Sequence, residues 1–359
     1  MIRFLFVIIT LLLSATAIAS LDDVRLPPGF SIEEYADVPK ARSLALGARG
    51  TLFVSNRKGR SIYAVVERSD GSRRVTEILD DLSSPNGIAY FEGDLYVAET
   101  SRVLRYQDIE DHLDDVPDGE VLDISLPSDR SHGWRYIGFG PDRKLYIAIG
   151  APCNICDEFG YAQIVRMNPD GSDRETFASG VRNSVGFTWH PDTGEFWFTD
   201  NGRDMMGDDL PPCELNRAPR QGLHFGYPYC HGADILDPKF GRGRDCSTYT
   251  PPAQSLGPHV APLGVKFYTG DMFPTEYHGQ VFIAEHGSWN RSKKIGYRIT
   301  LVRLEGNEAV AYEPFADGWL QGQSVSGRPV DLIVKKDGSL LVSDDFAGKV
   351  YRISYEEQL

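Results

Sequence analysis

The side chains best suited to chemistry are Asn86, His132, Arg182, Asn183 and Arg328. A histidine titrates near neutrality and can serve as a general base. Convergent arginines suit a ligand rich in carboxylates or phosphates, because the planar guanidinium grips an oxyanion through two parallel hydrogen bonds. Taken singly, His132 reads as a satisfied loop histidine and the arginines as surface ion pairs. Their placement argues otherwise, since each stands just ahead of a short apolar run. A second polar set stands just after such runs: Asn56-Arg57-Lys58, Glu99, Gly150, Asn201-Gly202-Arg203-Asp204, His286 and Asp344-Asp345. The stretch from Asp200 to Asn216 combines carboxylates, glycines and exposed carbonyls, a mixture that suits Ca2+ with its roughly 6–8 oxygen ligands. Its spacing is not that of an EF-hand, and an acidic loop is often merely solvated.

What must position these residues is a repeat. Leu95-Tyr96-Val97-Ala98-Glu99 recurs in variant form at Leu52–Asn56, Leu145–Ile149, Phe196–Asp200, Val281–Glu285 and Leu340–Asp344. Each copy follows a turn signal such as Glu92-Gly93-Asp94 or Lys336-Asp337-Gly338, and another apolar run lies ahead of the turn. Strand, tight turn, strand, repeated at this spacing, predicts propeller blades, which recur about every 40–50 residues. The expected fold is all-β, a six-bladed β-propeller of four-stranded antiparallel blades. Phe30 to Tyr35 alternates as a strand and is expected to complete the last blade, so that N- and C-terminal strands pair and close the ring. One domain spans residues 20–359, with an insertion at about 201–262. In this topology the residues ahead of each inner strand and behind each second strand share one rim around the central channel. The two polar sets therefore meet there.

The formal charge of −14 over 359 residues, with no basic stripe, argues against a nucleic-acid partner. Arg3, the apolar run Phe4 to Leu13 and the small residues around Ala17-Ile18-Ala19 read as a signal peptide over residues 1–19. That run is shorter than the ~20 residues of a spanning helix. Cleavage is expected, with no stable membrane insertion afterwards and a periplasmic or secreted product. Five cysteines fit an oxidising compartment. Cys153-Asn154-Ile155-Cys156 lacks the adjacent histidine of a haem attachment and the second close pair of a zinc site, so a local disulfide is expected. Cys213, Cys230 and Cys246 leave one pair and one free thiol, with the partners open.

At these positions the chain resembles the soluble pyrroloquinoline quinone (PQQ)-dependent glucose/sorbosone dehydrogenase family, in its aldose sugar dehydrogenase-like branch. The resemblance covers essentially the whole mature chain. It is carried by Ser131-His132-Gly133-Trp134-Arg135, Gly180-Val181-Arg182-Asn183, Thr199-Asp200-Asn201-Gly202, Glu214-Leu215-Asn216, Phe225-Gly226-Tyr227-Pro228 and His286-Gly287-Ser288-Trp289-Asn290-Arg291. It implies oxidation of aldoses at the anomeric carbon to lactones, with hydride passing to C5 of PQQ and electrons onward to an external acceptor. By the same resemblance His132 is the general base, and Arg182 and Asn183 contact the quinone oxygens. The carbonyls of Gly202 and Arg203 bind Ca2+, Asn86 and Ser131 lie near the sugar, and Arg328 with Lys293 or Lys294 holds PQQ carboxylates. Ser131 replaces an acidic residue of the glucose enzymes, and Pro211-Pro212-Cys213 interrupts their second calcium motif, so a second calcium is not carried over. Two other readings stay open. One is a Ca2+-dependent lactonase or esterase of the gluconolactonase type, with Glu99 and Asn183 as metal grips. The other is a non-enzymatic propeller that binds a protein or glycan.

Overall fold

The computed structural model describes residues 21–357, so the expected signal peptide lies outside the described residues. Within them the chain is almost wholly strand and turn, and each helical segment is a single 3-10 turn of three residues. Six antiparallel blades form, as the repeat predicts. Their inner strands are Leu44–Leu46, Ile88–Phe91, Ile137–Phe139, Phe187–Trp189, Pro262–Phe267 and Pro329–Val334, which open blades 1 to 6. The six repeat copies are the second strands, and each is buried along its whole length. Neighbouring blades cover both faces of a second strand. That is why these segments read as continuous apolar runs and not as alternating ones.

Close to the axis the blades crowd each other, and glycine is required where an inner strand begins. A Cβ on Gly87 would sit 2.0 Å from the carbonyl of Arg135, and one on Gly186 would sit 2.0 Å from that of Leu263. These glycines follow Asn86 and the Arg182-Asn183 pair, so the rim loops are seated where backbones nearly touch.

The ring closes as expected. Phe30–Asp37 pairs antiparallel with Lys349–Tyr355, from Phe30 opposite Tyr355 to Asp37 opposite Lys349. Phe30 then packs edge-on against Phe273, Tyr277 and Phe315, with ring centroids 4.8, 5.1 and 5.0 Å away. The closing strand of blade 6 is thereby anchored on blade 5.

The stretch expected as an insertion at about 201–262 divides in two. Pro212–Ala218 and Gln254–Pro258 are the third and fourth strands of blade 4. The excursion between them sends Leu223–His224 across to blade 3 as a fifth strand, parallel to Glu175–Ser179. Cys230 and Cys246 are disulfide-bonded within the excursion, Cys153 and Cys156 are bonded as expected, and Cys213 is a buried free thiol.

Candidate active site

The rim loops surround a cavity of about 430 Å3 at one mouth of the channel. His132 enters it from the loop ahead of blade 3, held in a left-handed conformation with φ 46°. Arg135 fixes that loop. Its side chain is buried and donates to the carbonyls of Thr100, His132 and Pro127 at 2.9, 3.3 and 2.7 Å. Gly150 makes room for the histidine, since a Cβ there would meet the His132 Cβ at 2.6 Å. The ring Nδ1 lies 2.7 Å from the carbonyl of Ala151. A carbonyl can only accept, so Nδ1 carries the hydrogen and Nε2 keeps its lone pair. Burial, helped by the charge of Arg182, lowers the pKa from 6.5 to about 4. The imidazole is therefore neutral near pH 7 and able to take a proton.

Arg182 and Asn183 are set by a carboxylate beneath them. Asp200 accepts the backbone N–H of Arg182 at 2.8 Å and that of Asn183 at 2.6 Å. Burial raises the pKa of Asp200, and those two amides oppose the rise. Asn183 Oδ1 accepts from the indole N–H of Trp134 at 3.1 Å, which orients the amide. Arg182 uses all five donors on protein oxygens. Nε donates to the carbonyl of Asn154, Nη1 to those of Asn201 and Gly202, and Nη2 to Asn154 Oδ1 and Asp204 Oδ2.

The opposite wall is cationic. Asp345 accepts from Arg42 at 2.9 Å, Arg328 at 2.8 Å and His286 at 3.0 Å. Burial alone would raise the Asp345 carboxyl, but the His286 hydrogen bond and the two arginine charges more than reverse it and hold it well below the usual range. Among the described residues Arg57 has no ion-pair partner; it lies 4.3 Å over the Trp134 ring, and its buried Nε meets no hydrogen-bond acceptor there. Burial, with repulsion from Arg42, lowers its pKa to about 10. Among the lining residues, five cations (Arg42, Arg57, Lys58, Arg182 and Arg328) face two carboxylates, Asp204 and Asp345. Five against two leaves three positive charges in excess, inside a chain whose overall charge is −14. A low-dielectric cleft with one sign of charge concentrates ligands of the other sign.

The structure brings His132, Ser131, Arg182, Asn183, Gly202 and Arg328 to this one cavity. It moves others away. Lys293 and Lys294 do not line it: both are exposed, and Lys294 Nζ donates to the carbonyl of Gln323 at 2.7 Å. The cause is long-range. Arg291 binds the Asp208 carbonyl and the Asp209 carboxylate, which pins the loop and leaves Trp289, not the lysines, at the cavity lip. Asn86 lies fully buried behind the wall, where its Oδ1 accepts from Arg42 Nε at 3.1 Å, so Arg42 is the group that reaches the ligand space. The Arg203 side chain turns out to pair with Asp237. Glu99, which the lactonase reading needs as a metal grip, is taken up by Ser83 N–H and Arg102 outside the cavity. The cavity wall also includes Arg42 and Trp134, with Asn154 behind Arg182, for which the sequence alone suggests no role; Arg57 and Lys58, placed on the rim by their position behind a second strand, line it as well.

Comparison with known proteins agrees with this architecture. The TrAA12-like family matches residues 159–356. An uncharacterized protein of Borreliella burgdorferi is 34% identical, with 98% of this chain and 96% of that protein covered. The pyrroloquinoline quinone-dependent pyranose dehydrogenase of Coprinopsis cinerea is 30% identical over a shorter stretch, 28% of this chain and 16% of that protein. In structure, the Trichoderma reesei carbohydrate-active enzyme of family AA12 superposes with a TM-score of 0.81 at 18% identity, covering 93% of this chain and 98% of that one. The soluble aldose sugar dehydrogenase of Escherichia coli gives 0.72 at 16% identity, covering 91% and 100%.

Proposed function

The chain belongs to the TrAA12-like family, and on that footing we propose that it is a PQQ-dependent dehydrogenase that oxidises aldose sugars at the anomeric carbon to lactones. The observation that carries the reading is the surplus of cations facing a neutral imidazole with a free Nε2 across one cavity. The names of the relatives, pyranose and aldose sugar dehydrogenases, support the substrate class.

The residues present fit both implied groups. The unpartnered Arg57 Nε and the excess of three positive charges suit a planar polyanion such as PQQ. Gly202 and Asp204 line the cavity, and their carbonyl and carboxylate oxygens are of the kind a hard cation takes; both also accept from Arg182, so a cation there would share them. Gly202, with the Arg203 carbonyl, would hold Ca2+. Arg42, Arg57, Lys58 and Arg328 would hold carboxylates. PQQ when bound supplies a two-electron quinone acceptor, and Ca2+ supplies a Lewis acid toward its carbonyl.

The chain's own residues do the rest. His132 Nε2 accepts the proton of the C1 hydroxyl as the C1 hydrogen leaves with its electron pair. The Ala151 carbonyl steadies the imidazolium that forms, through the Nδ1–H bond already in place. Arg135 and Gly150 keep the ring in that pose. Arg182 keeps a fixed positive charge beside the reacting centre, and Trp289, exposed at the lip, offers an aromatic face to a sugar ring. Electrons then pass to an external acceptor. The two disulfides support an exported, periplasmic or secreted enzyme, and among the described residues no helix is long and apolar enough to cross a membrane.

Titrating the purified chain with PQQ and Ca2+ should generate a quinone spectrum that aldoses bleach, and a chelator should abolish the bleaching. A chain that binds no PQQ, or that hydrolyses lactones without it, overturns the proposal.

A further inference from the structure

We infer that Asn154, held inside the Cys153–Cys156 disulfide loop, is the residue that positions Arg182 and the turn at 202–204, and that it does so for the cofactor and metal of the reaction proposed above. The inference rests on that reading. The cysteine pair stands out in the sequence by its spacing, yet no step of the reaction uses it. Between the two sulfurs, Asn154 meets two partners at once. Its backbone carbonyl accepts from Arg182 Nε and its Oδ1 from Arg182 Nη2, both at 2.9 Å. The same Oδ1 accepts the backbone N–H of Asp204 at 2.9 Å, and Nδ2 donates to the Asp204 carbonyl at 3.0 Å.

One side chain thus joins the arginine of the blade 3–blade 4 loop to the turn that carries the Gly202 carbonyl. It must accept and donate at short reach. Aspartate only accepts, and glutamine is a methylene longer. The loop is tied down at its far end as well, where the backbone N–H of Cys156 donates to the Tyr227 hydroxyl at 3.0 Å. The disulfide closes a ring of four residues, with Asn154 in it, over the side of the site. Water cannot easily take over if the amide is lost, because the Arg182 side chain is 4% exposed. With the Asn154 amide lost, Arg182 would keep the backbone carbonyls of Asn154, Asn201 and Gly202 and its pair with Asp204, but the tie from its Nη2 to the Asp204 backbone would be gone.

The test begins on the cofactor-free full chain. Hydrogen exchange read by mass spectrometry over residues 200–206 should show protection falling ~10-fold or more in N154A and in C153S/C156S. The buried second strand of blade 1, Leu52–Asn56, should keep its protection. N154D keeps an oxygen for Arg182 Nη2 and the Asp204 N–H but loses the donor to the Asp204 carbonyl, so its protection over 200–206 should fall between N154A and wild type, whereas a general defect in folding would also expose Leu52–Asn56. With saturating Ca2+, the Kd for PQQ should rise ~10-fold or more in N154A, and on the loaded enzyme kcat should fall with little change in KM for the sugar. Unchanged protection over 200–206 in N154A overturns the inference whatever the cofactor does. Lost protection with unchanged PQQ affinity overturns its link to the cofactor. A wild-type chain that binds no PQQ while N154A still loses protection overturns the proposed function, and with it that link.

Discussion

Arg57 gives the sharpest test of the anion site, because its removal should act in opposite directions on stability and on binding. In R57M an unbranched side chain of similar length stays over Trp134 while the charge goes. The cofactor-free protein then loses a cation–π contact, worth ~0.5–2 kcal/mol. It also sheds a buried, unpartnered Nε, a burden of ~1–3 kcal/mol, and the repulsion from Arg42 and Arg328, against which it loses the attraction of Asp345. The terms nearly cancel, with the balance on the stabilising side. Scanning calorimetry of the cofactor-free chain should therefore show Tm unchanged or raised by up to ~3 °C. Binding moves the other way. A hydrogen bond to a charged group contributes ~1.5–3 kcal/mol, so the Kd for PQQ, titrated by absorbance at saturating Ca2+, should rise ~10- to 150-fold. Arg60, which pairs with Asp81 on the surface nearby, serves as the control, and R60M should bind PQQ as the wild type does. A Kd for R57M within about twofold of wild type, or a Tm lowered by more than ~5 °C, would refute the assignment of Arg57 to the ligand.

Replacing His132 by alanine should lower kcat by ~100-fold or more while the PQQ titration stays within about threefold of wild type. The pH profile of kcat/KM should be flat near neutrality, with its acid limb below pH 6.5, the ordinary histidine value, because the folded pKa lies near 4. A limb at or above 6.5 would point to another base. The same sign governs stability: His132 and His286 resist protonation when folded, so stability is lost as pH falls from 6.5 toward 4, measurable as a falling denaturant midpoint. Gly150→Ala should force a methyl within 2.6 Å of the His132 Cβ, lowering Tm and costing at least ~10-fold in kcat, with the loss in kcat exceeding that in a variant of equal Tm destabilised elsewhere. Phe30→Ala removes the edge-on contacts of the closing strand and should cost ~2–4 kcal/mol in urea unfolding.

The blades were legible because their signals are local. A second strand announces itself by an apolar run after a turn, and the same run near every ~40–50 residues fixes the blade count. Topology then placed His132, Arg182 and Arg328 on one rim, since each loop's address follows from its strand order. What escaped depends on contacts between distant loops. Lys293 and Lys294 stand after a blade strand, as a rim residue should, and only the Arg291 bonds to Asp208 and Asp209 decide which way their loop faces. Asn86 and Arg42 stand 44 residues apart, and their hydrogen bond decides which one reaches the cavity. The role of Asn154 lies in bonds to residues 28 and 50 positions away, which no spacing rule encodes. The Cys230–Cys246 pairing depends likewise on an excursion whose path is set by a fifth strand on a neighbouring blade.

The closing strand has one more consequence, in the order of assembly. Glu33 meets Arg352 across 319 positions of chain. The entropy of so long a closure is modest, since each doubling of a loop costs only ~0.6 kcal/mol. In time, however, this contact must come last, after the final strand has emerged. The cationic wall straddles the same seam, because Arg42 follows the first strand and its partner Asp345 follows the second strand of blade 6. The ligand pocket cannot exist until the ring is shut. A polyanion bound there clasps both sides of the junction and slows reopening at the ring's latest-formed joint. Cofactor supply would then govern how long the enzyme lasts as well as how fast it works.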